Sequence, residues 1–266
     1  MTKERIEALR GFLKNRALAS AVLLQPENLR YFSGFTGGEG VLVVTPDRVV
    51  LWTDLRYTEQ AAQECGHTVQ VVNHAGHPAA AAAATLAEDD VGAAAYEADY
   101  MPHTFFERLA ETGECCFEGV SLQGIRAVKE PYEVEATRKA GRIAAAAFAD
   151  LLAYIKPGVT ERELAARLES NMLLAGSEEK AFDTIVASGR RSAMPHGTAT
   201  DKAVAAGEFI TFDFGAVCDG YHSDMTRTVV VGRADDEQKR FYNLVLEGQR
   251  LGIDAVKAGA VCSEVD

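Results

Sequence analysis

The chain has 266 residues, 47% of them hydrophobic, and a formal net charge of −12 at pH 7. This length favours two domains and supplies enough chain for sizeable cores. The acidic balance argues against nucleic acids and anionic membranes as partners. No stretch approaches the roughly twenty apolar residues that a transmembrane helix needs, and the first residues contain no apolar signal-peptide core.

The first half of the sequence predicts alternating helices and strands. Apolar periodicity and turn residues predict helices over residues 3–15, 57–64, 79–86 and 102–111, and strands over 21–24, 40–44, 49–53, 68–72 and 91–96. Such alternation is typical of a mixed α/β domain. Charged residues follow this region, so we predict one domain over residues 1–124 and a second over 125–266.

The second domain is predicted to begin with a long alanine-rich helix that ends at Pro157-Gly158. Thr160 and Glu163 then form a capping box for the next helix. Residues 133–164 and 237–265 read as two copies of this helix–glycine–helix unit. Because the first copy leads into a hairpin, the duplication predicts a second hairpin after residue 266, and therefore an incomplete second domain.

Two β-rich runs, residues 208–214 and 221–231, predict a hairpin with turn residues between them. If the strands pair symmetrically about the turn, Asp213 and Asp224 lie directly opposite each other, with Cβ atoms roughly 5 Å apart. Asp213 stands between two phenylalanines, where a carboxylate is costly unless it is paired or binds a metal. The alternative is that both are ordinary surface aspartates near a turn.

Other polar and aromatic residues are candidates for the same site. His196 lies in a Pro-His-Gly turn upstream of the hairpin. Thr226 shares the strand face of Asp224, within reach of a hydrogen bond to a metal ligand. His222 falls on that face in plain alternation, as a polar lining residue. Phe182 is a candidate for the substrate pocket, with core packing as the alternative.

These motifs, in this order and at these spacings, resemble the pita-bread metallopeptidases, in particular the aminopeptidase P and prolidase branch. The matching motifs are Ser188-Gly189, Arg191-Ser192-Ala193, Pro195-His196-Gly197, Asp213-Phe214-Gly215 and Ser223-Asp224-Met225-Thr226-Arg227-Thr228. Residues 28–37 and 53–57 resemble the amino-terminal domain of the same family. The resemblance therefore covers nearly the whole chain.

The resemblance implies an α/β (α+β) architecture, a creatinase-like mixed amino-terminal domain followed by an incomplete pita-bread domain. It implies two divalent metal ions, most often manganese, with cobalt or zinc as alternatives. Asp213 and Asp224 match two of the five ligands, and Asp224 matches the one that bridges the ions. His196 matches a residue near the substrate that assists turnover. The implied substrates are short peptides with proline at the second position, and the family commonly forms homodimers.

The remaining ligands of the family, a histidine and two glutamates, would follow residue 266. We therefore expect the 266-residue chain by itself to lack peptidase activity. Two alternatives stay open: a non-catalytic pita-bread module that binds peptides or proteins, and a metal-free creatinase-like amidinohydrolase. Retention of Asp213, Asp224 and His196 together argues against the first alternative, and the presence of the two aspartates argues against the second.

The cysteines bear on the compartment. They are odd in number and lack the paired spacing of metal ligands; they are Cys65, Cys115, Cys116, Cys218 and Cys262. This usage favours reduced thiols, and we predict a cytoplasmic protein.

Overall fold

The computed structural model describes residues 2–111 and 115–266, which form two compact units. The first unit ends at Lys129 and the second begins at Glu130. The domain boundary after residue 124 stays a prediction. In the described part of the chain, no helix combines the length and apolar character needed to cross a membrane.

The first unit is built on one mixed sheet. Its strands are β1 (Ser20–Leu23), β2 (Val41–Val44), β3 (Val49–Thr53), β4 (Gln70–Asn73), β5 (Ala93–Glu97) and β6 (Cys116–Val120). They lie side by side in the order β4-β3-β2-β1-β5-β6. β2 pairs antiparallel with β1 and β3, whereas the outer pairs β3–β4 and β5–β6 are parallel.

Helices cover both faces of this sheet. They are α1 (Thr2–Lys14), α2 (Pro26–Ser33), α3 (Thr58–Glu64), α4 (Pro78–Glu88), α5 (His103–Ala110) and α6 (Gln123–Ala127). Strand β2 shows the two-sided burial, since Leu42 and Val44 join a core cluster with α1 and α2. Val41 and Val43 join a second cluster with α4 and α5. The predicted α/β domain is thus confirmed.

Helices α2 and α6 and strand β6 of this unit were not predicted from the sequence. Helix α2 has only eight residues, too few for a clear apolar period. Its ends nevertheless follow the usual asymmetry, with Pro26 in the first turn and left-handed Gly34, at φ 86°, as the cap.

A buried carboxylate joins α2 to the sheet. Glu97 of β5 is 3% exposed and accepts hydrogen bonds from the backbone N–H groups of Leu24 and Gln25. It also accepts one from Asn28 Nδ2 at 2.7 Å. Burial raises the pKa of Glu97 above its ordinary value, although these hydrogen bonds oppose the rise.

We expect Glu97→Gln to flatten the pH dependence of stability of the first unit. The folded protein holds the Glu97 proton more tightly than the unfolded chain does. Its contribution to the free energy of unfolding is therefore full below about pH 4.3 and lost as pH rises through the raised pKa. Asn28 Oδ1 has no hydrogen-bond partner among the described residues. If the Asn28 amide flips, this oxygen can accept a hydrogen bond from the new glutamine side chain.

Urea unfolding from about pH 4 to about pH 7 tests this expectation. The single tryptophan, Trp52, lies in β3, so its fluorescence reports on the first unit. Glu118→Gln is the matched control, since that glutamate lies on the neighbouring strand β6 with a half-exposed side chain. Equal slopes for Glu97→Gln and wild type would contradict the expectation.

The second unit combines helices with a small antiparallel sheet. Its helices are α7 (Pro131–Leu151), α8 (Glu161–Leu174), α9 (Asp236–Ala255) and α10 (Cys262–Val265). Its strands are β7 (Ile185–Ser188), β8 (Phe209–Phe214), β9 (Val217–Cys218), β10 (Tyr221–His222) and β11 (Met225–Val230). Strands β11, β8 and β7 form one sheet in that order, and β9 pairs with β10.

The core of this unit lies on one face of β8. Phe212 and Phe214 are fully buried, and both rings contact Phe148 of α7, with ring centroids 5.3 and 5.4 Å apart. Thr211 and Asp213, which alternate with the buried residues along β8, are only half-buried. Since side chains alternate along a strand, Asp213 points away from the core that holds its two neighbours.

The two helix–glycine–helix segments share local structure, as the duplication predicts. Helices α7 and α9 both start with a capping box. Each is followed by a left-handed glycine, Gly158 at φ 93° and Gly259 at φ 85°, before the next helix. The capping box of Thr160 and Glu163 is also confirmed. Helix α7, however, ends at Leu151 in a 3-10 turn and does not extend to Pro157.

Candidate active site

Strands β8 and β11 pair in a different register from the symmetric hairpin expected from the sequence. Thr226, and not Asp224, lies opposite Asp213. The expectation was wrong because the connection is not a single turn: β9 and β10 form a short hairpin of their own. Asp224 therefore precedes β11 and is the diagonal neighbour of Asp213, a position still within reach of its side chain.

The two carboxylates nevertheless interact. The pKa of Asp213 is raised above its ordinary value, first by burial, and further by the charge of Asp224 and a hydrogen bond between the two carboxyl groups. Thr226 opposes the rise, because its hydroxyl donates to Asp213 Oδ1 at 3.1 Å. Asp224 and Thr226 are exposed, so this pair of carboxylates opens to solvent.

A close approach of two backbone segments sets the position of Asp224. A Cβ added to Gly215 would lie 1.9 Å from the carbonyl oxygen of Ser223, the residue before Asp224. It would also lie 2.8 Å from Ala181 Cβ. Only glycine allows this approach. The backbone N–H of Ser223 donates to Ala216 O at 2.9 Å and locks the segment.

His196 reaches the same region from a separate loop. Thr198, two residues later, forms a bridge with Ile185, and Ile185 pairs with Asp213 in the sheet. The His196 side chain is exposed, and its influence lowers the pKa of Asp213 slightly against the larger effects. The structure thus brings His196, Asp213, Asp224 and Thr226 to one solvent-facing side of the sheet.

Two other candidates lie nearby with less defined roles. Phe182 is half-buried in a bend just before β7 and does not belong to the hydrophobic cluster of the second unit. His222 is exposed on β10, and its Nδ1 lies 3.1 Å from Ala181 O.

Sequence reasoning missed one functional-site neighbour, Glu161, the first residue of α8. It is fully buried and accepts hydrogen bonds from the segments on both sides of His196. The sequence did contain an indication of this. Glu161 lies on the same face of α8 as the buried apolar residues Leu164, Ala165, Leu168 and Met172. A glutamate in that period indicates a buried carboxylate that must have partners.

The donor set suits a hard divalent cation. Two carboxylates held close together repel each other unless one is protonated or a cation lies between them. Among residues 2–111 and 115–266, no group of three or more histidine, cysteine, aspartate or glutamate side chains is arranged to hold a metal. In this part of the chain, Asp213 and Asp224 form a pair of interacting carboxylates without a third such group beside them.

Comparison with known proteins identifies both units. Residues 5–128 match the creatinase/prolidase N-terminal domain, and residues 135–266 match metallopeptidase family M24. The amino-terminal and pita-bread assignments from the sequence are confirmed. Family M24 also implies divalent metal ions as cofactors.

Relatives match along nearly the whole chain. The Xaa-Pro dipeptidase of Pyrococcus furiosus is 34% identical, over 99% of this chain and 75% of its own. The structure of an Xaa-Pro dipeptidase from Bacillus anthracis is 36% identical with a TM-score of 0.95, covering 100% of this chain and 75% of its own. That of an X-Pro aminopeptidase from Thermotoga maritima MSB8 is 36% identical with a TM-score of 0.88, covering 96% and 73%. The chain belongs to metallopeptidase family M24 and carries the creatinase/prolidase N-terminal domain.

Proposed function

We propose that this protein is a metal-dependent peptidase that hydrolyses the bond between an amino-terminal residue and proline. The observation that carries the proposal is the convergence of Asp213 and Asp224, with Thr226 and His196 beside them, on the solvent side of β8 and β11. The names of the relatives support the substrate class.

Each residue has a distinct role in this proposal. Asp213 and Asp224 would hold the divalent ions. The hydrogen bond from Thr226 to Asp213 Oδ1 fixes the rotamer of that carboxylate. In this proposal His196 donates a hydrogen bond to the substrate as charge develops on the scissile carbonyl. Phe182 offers an apolar surface for the proline ring.

The metal supplies one part of the chemistry: when bound, divalent ions lower the pKa of a water that attacks the scissile carbonyl. Manganese is the proposed metal, because a donor set of carboxylate oxygens suits hard cations. The five cysteines all carry free thiols, which supports a cytoplasmic location.

We also propose that the 266-residue chain alone has no peptidase activity. Hard divalent ions take about six oxygen ligands, whereas the described residues bring two carboxylates together. The chain corresponds to about three quarters of the length of the relatives. Hydrolysis of an Ala-Pro peptide by the purified 266-residue chain, at a rate above that of a Asp213→Asn variant, would contradict this proposal.

The function is tested on the protein purified from its source. We expect two bound divalent ions per polypeptide by elemental analysis, and hydrolysis of Ala-Pro peptides but not of Ala-Ala peptides. Removal of the ions with a chelator should abolish hydrolysis, and added Mn²⁺ should restore it. Protein that contains no metal and cleaves neither peptide would favour the binding-module alternative.

A further inference from the structure

We propose that Glu161 is a positioning residue for His196, an inference that rests on the proposed function. Glu161 is the first residue of α8, and its side chain has no measurable exposure. Its hydrogen-bond partners lie on the loop over residues 188–200, which carries His196 at an exposed position.

One oxygen of Glu161 holds the beginning of this loop. Glu161 Oε1 accepts hydrogen bonds from the backbone N–H and the hydroxyl of Ser188, both at 2.8 Å. Ser188 is the last residue of β7, so this contact ties the start of the loop to the end of that strand. Lys202 Nζ donates to the same hydroxyl at 2.8 Å and to Glu208 at 2.7 Å.

The other oxygen holds the end of the loop. Glu161 Oε2 accepts from the Thr200 hydroxyl at 2.7 Å and from the Thr200 N–H at 3.1 Å. Arg191 Nε donates to Oε2 at 3.1 Å, and its Nη2 donates to Thr198 O at 2.6 Å. One carboxylate therefore closes the loop across its two ends, and Arg191 ties its middle to the residue that pairs with Ile185.

Helix capping does not account for these contacts of the Glu161 carboxylate. The capping of α8 is already provided by Thr160 and Glu163. Burial by itself raises the pKa of Glu161, but the hydrogen bonds from Thr200 and Ser188 outweigh burial and lower it, so Glu161 is charged at neutral pH. A charged, fully hydrogen-bonded group inside the protein holds its partners more firmly than a neutral one.

The test uses Glu161→Gln in the 266-residue protein, with Glu163→Gln as the matched control. Both residues lie in the first turn of α8 and accept hydrogen bonds, but within the described part of the chain the Glu163 carboxylate bonds only Thr160. We expect amide exchange at Gly197 and Thr198, the two residues that follow His196, to quicken at least about tenfold in Glu161→Gln, which corresponds to about 1.4 kcal/mol of local opening. Glu163→Gln should leave it unchanged.

A second measurement reports how close the His196 ring lies to an ion bound by the two aspartates. Mn²⁺ should broaden the Thr226 amide and the His196 ring protons in the wild-type NMR spectrum. In Glu161→Gln we expect broadening at His196 to fall by roughly threefold while that at Thr226 stays the same, because a supporting contact holds a site group to within about 0.5 Å. Global loss of structure would change both signals together.

The outcomes separate the two proposals. Unchanged exchange at Gly197 and Thr198 in Glu161→Gln would overturn the positioning role. Faster exchange without any Mn²⁺ broadening of Thr226 in the wild type would support the anchor and overturn the metal site. Should Glu161→Gln fail to fold, Thr200→Val removes one donor to Oε2 and keeps side-chain volume. It should show the same changes at smaller size, and its failure to do so would equally overturn the role.

Discussion

Asp224→Asn should weaken Mn²⁺ binding by the 266-residue chain roughly thirtyfold. A divalent ion about 4 Å from a carboxylate in water gains about 2 kcal/mol from the single negative charge, and asparagine removes that charge while keeping the shape. Asp213→Asn should have a similar effect, since the two carboxylates interact directly. Calorimetric titration with Mn²⁺ at neutral pH measures both changes.

The matched control is Asp219→Asn. Asp219 is an exposed aspartate in the hairpin between β9 and β10, at φ 51°, a conformation that asparagine tolerates well. It removes the same net charge from the same part of the chain. Equal weakening by Asp219→Asn and Asp224→Asn would mean that Mn²⁺ responds to the acidic surface in general, and the proposed ligand pair would then be wrong.

Gly215→Ala is the second change for which we expect a large effect, a loss of at least about 3 kcal/mol in the free energy of unfolding of the second unit. The new methyl group would lie 1.9 Å from Ser223 O, which is backbone and cannot rotate away. The segment must shift, and Asp224 shifts with it. Mn²⁺ binding should therefore weaken even where the variant remains folded.

Urea unfolding followed by circular dichroism measures the stability change, with Gly141→Ala as the control. A Cβ at Gly141, inside α7, meets nothing within 4 Å. That substitution should stabilise the protein by about 0.5–1 kcal/mol, because alanine favours a helix interior. A Gly215→Ala variant with wild-type stability would show that the backbone approach at Ser223 is not fixed.

Much of the fold could be predicted because local patterns agree with the final packing. The apolar residues predicted for helix α1 and strand β2 are the ones buried in the two hydrophobic clusters of the first unit. Helix α2 escaped prediction, since eight residues hold little more than two turns and its stop signal, Gly34, was the clearest evidence of it. The long helix α7 was predicted, but its end was not, because the alanine-rich sequence gives no indication of the 3-10 turn that terminates it.

The candidate site was predictable in its residues but not in its register. Asp213, Asp224 and His196 could be selected by residue type and spacing, whereas the extra hairpin between β8 and β11 depends on backbone contacts at Gly215. Glu161 could not be assigned to the site from spacing alone. Its partners Ser188 and Thr200 lie 27 and 39 residues away, and only the folded chain brings them to it.

The alternation along β8 has an evolutionary consequence. Core residues and site residues occupy opposite faces of the same strand, so a substitution of Asp213 removes no packing contact of Phe212 or Phe214. Along β8, selection for stability and selection for activity therefore act on separate positions. A lineage can lose the metal ligands by drift and keep the scaffold, and a duplicated gene could acquire a new activity on this face without first acquiring a new fold.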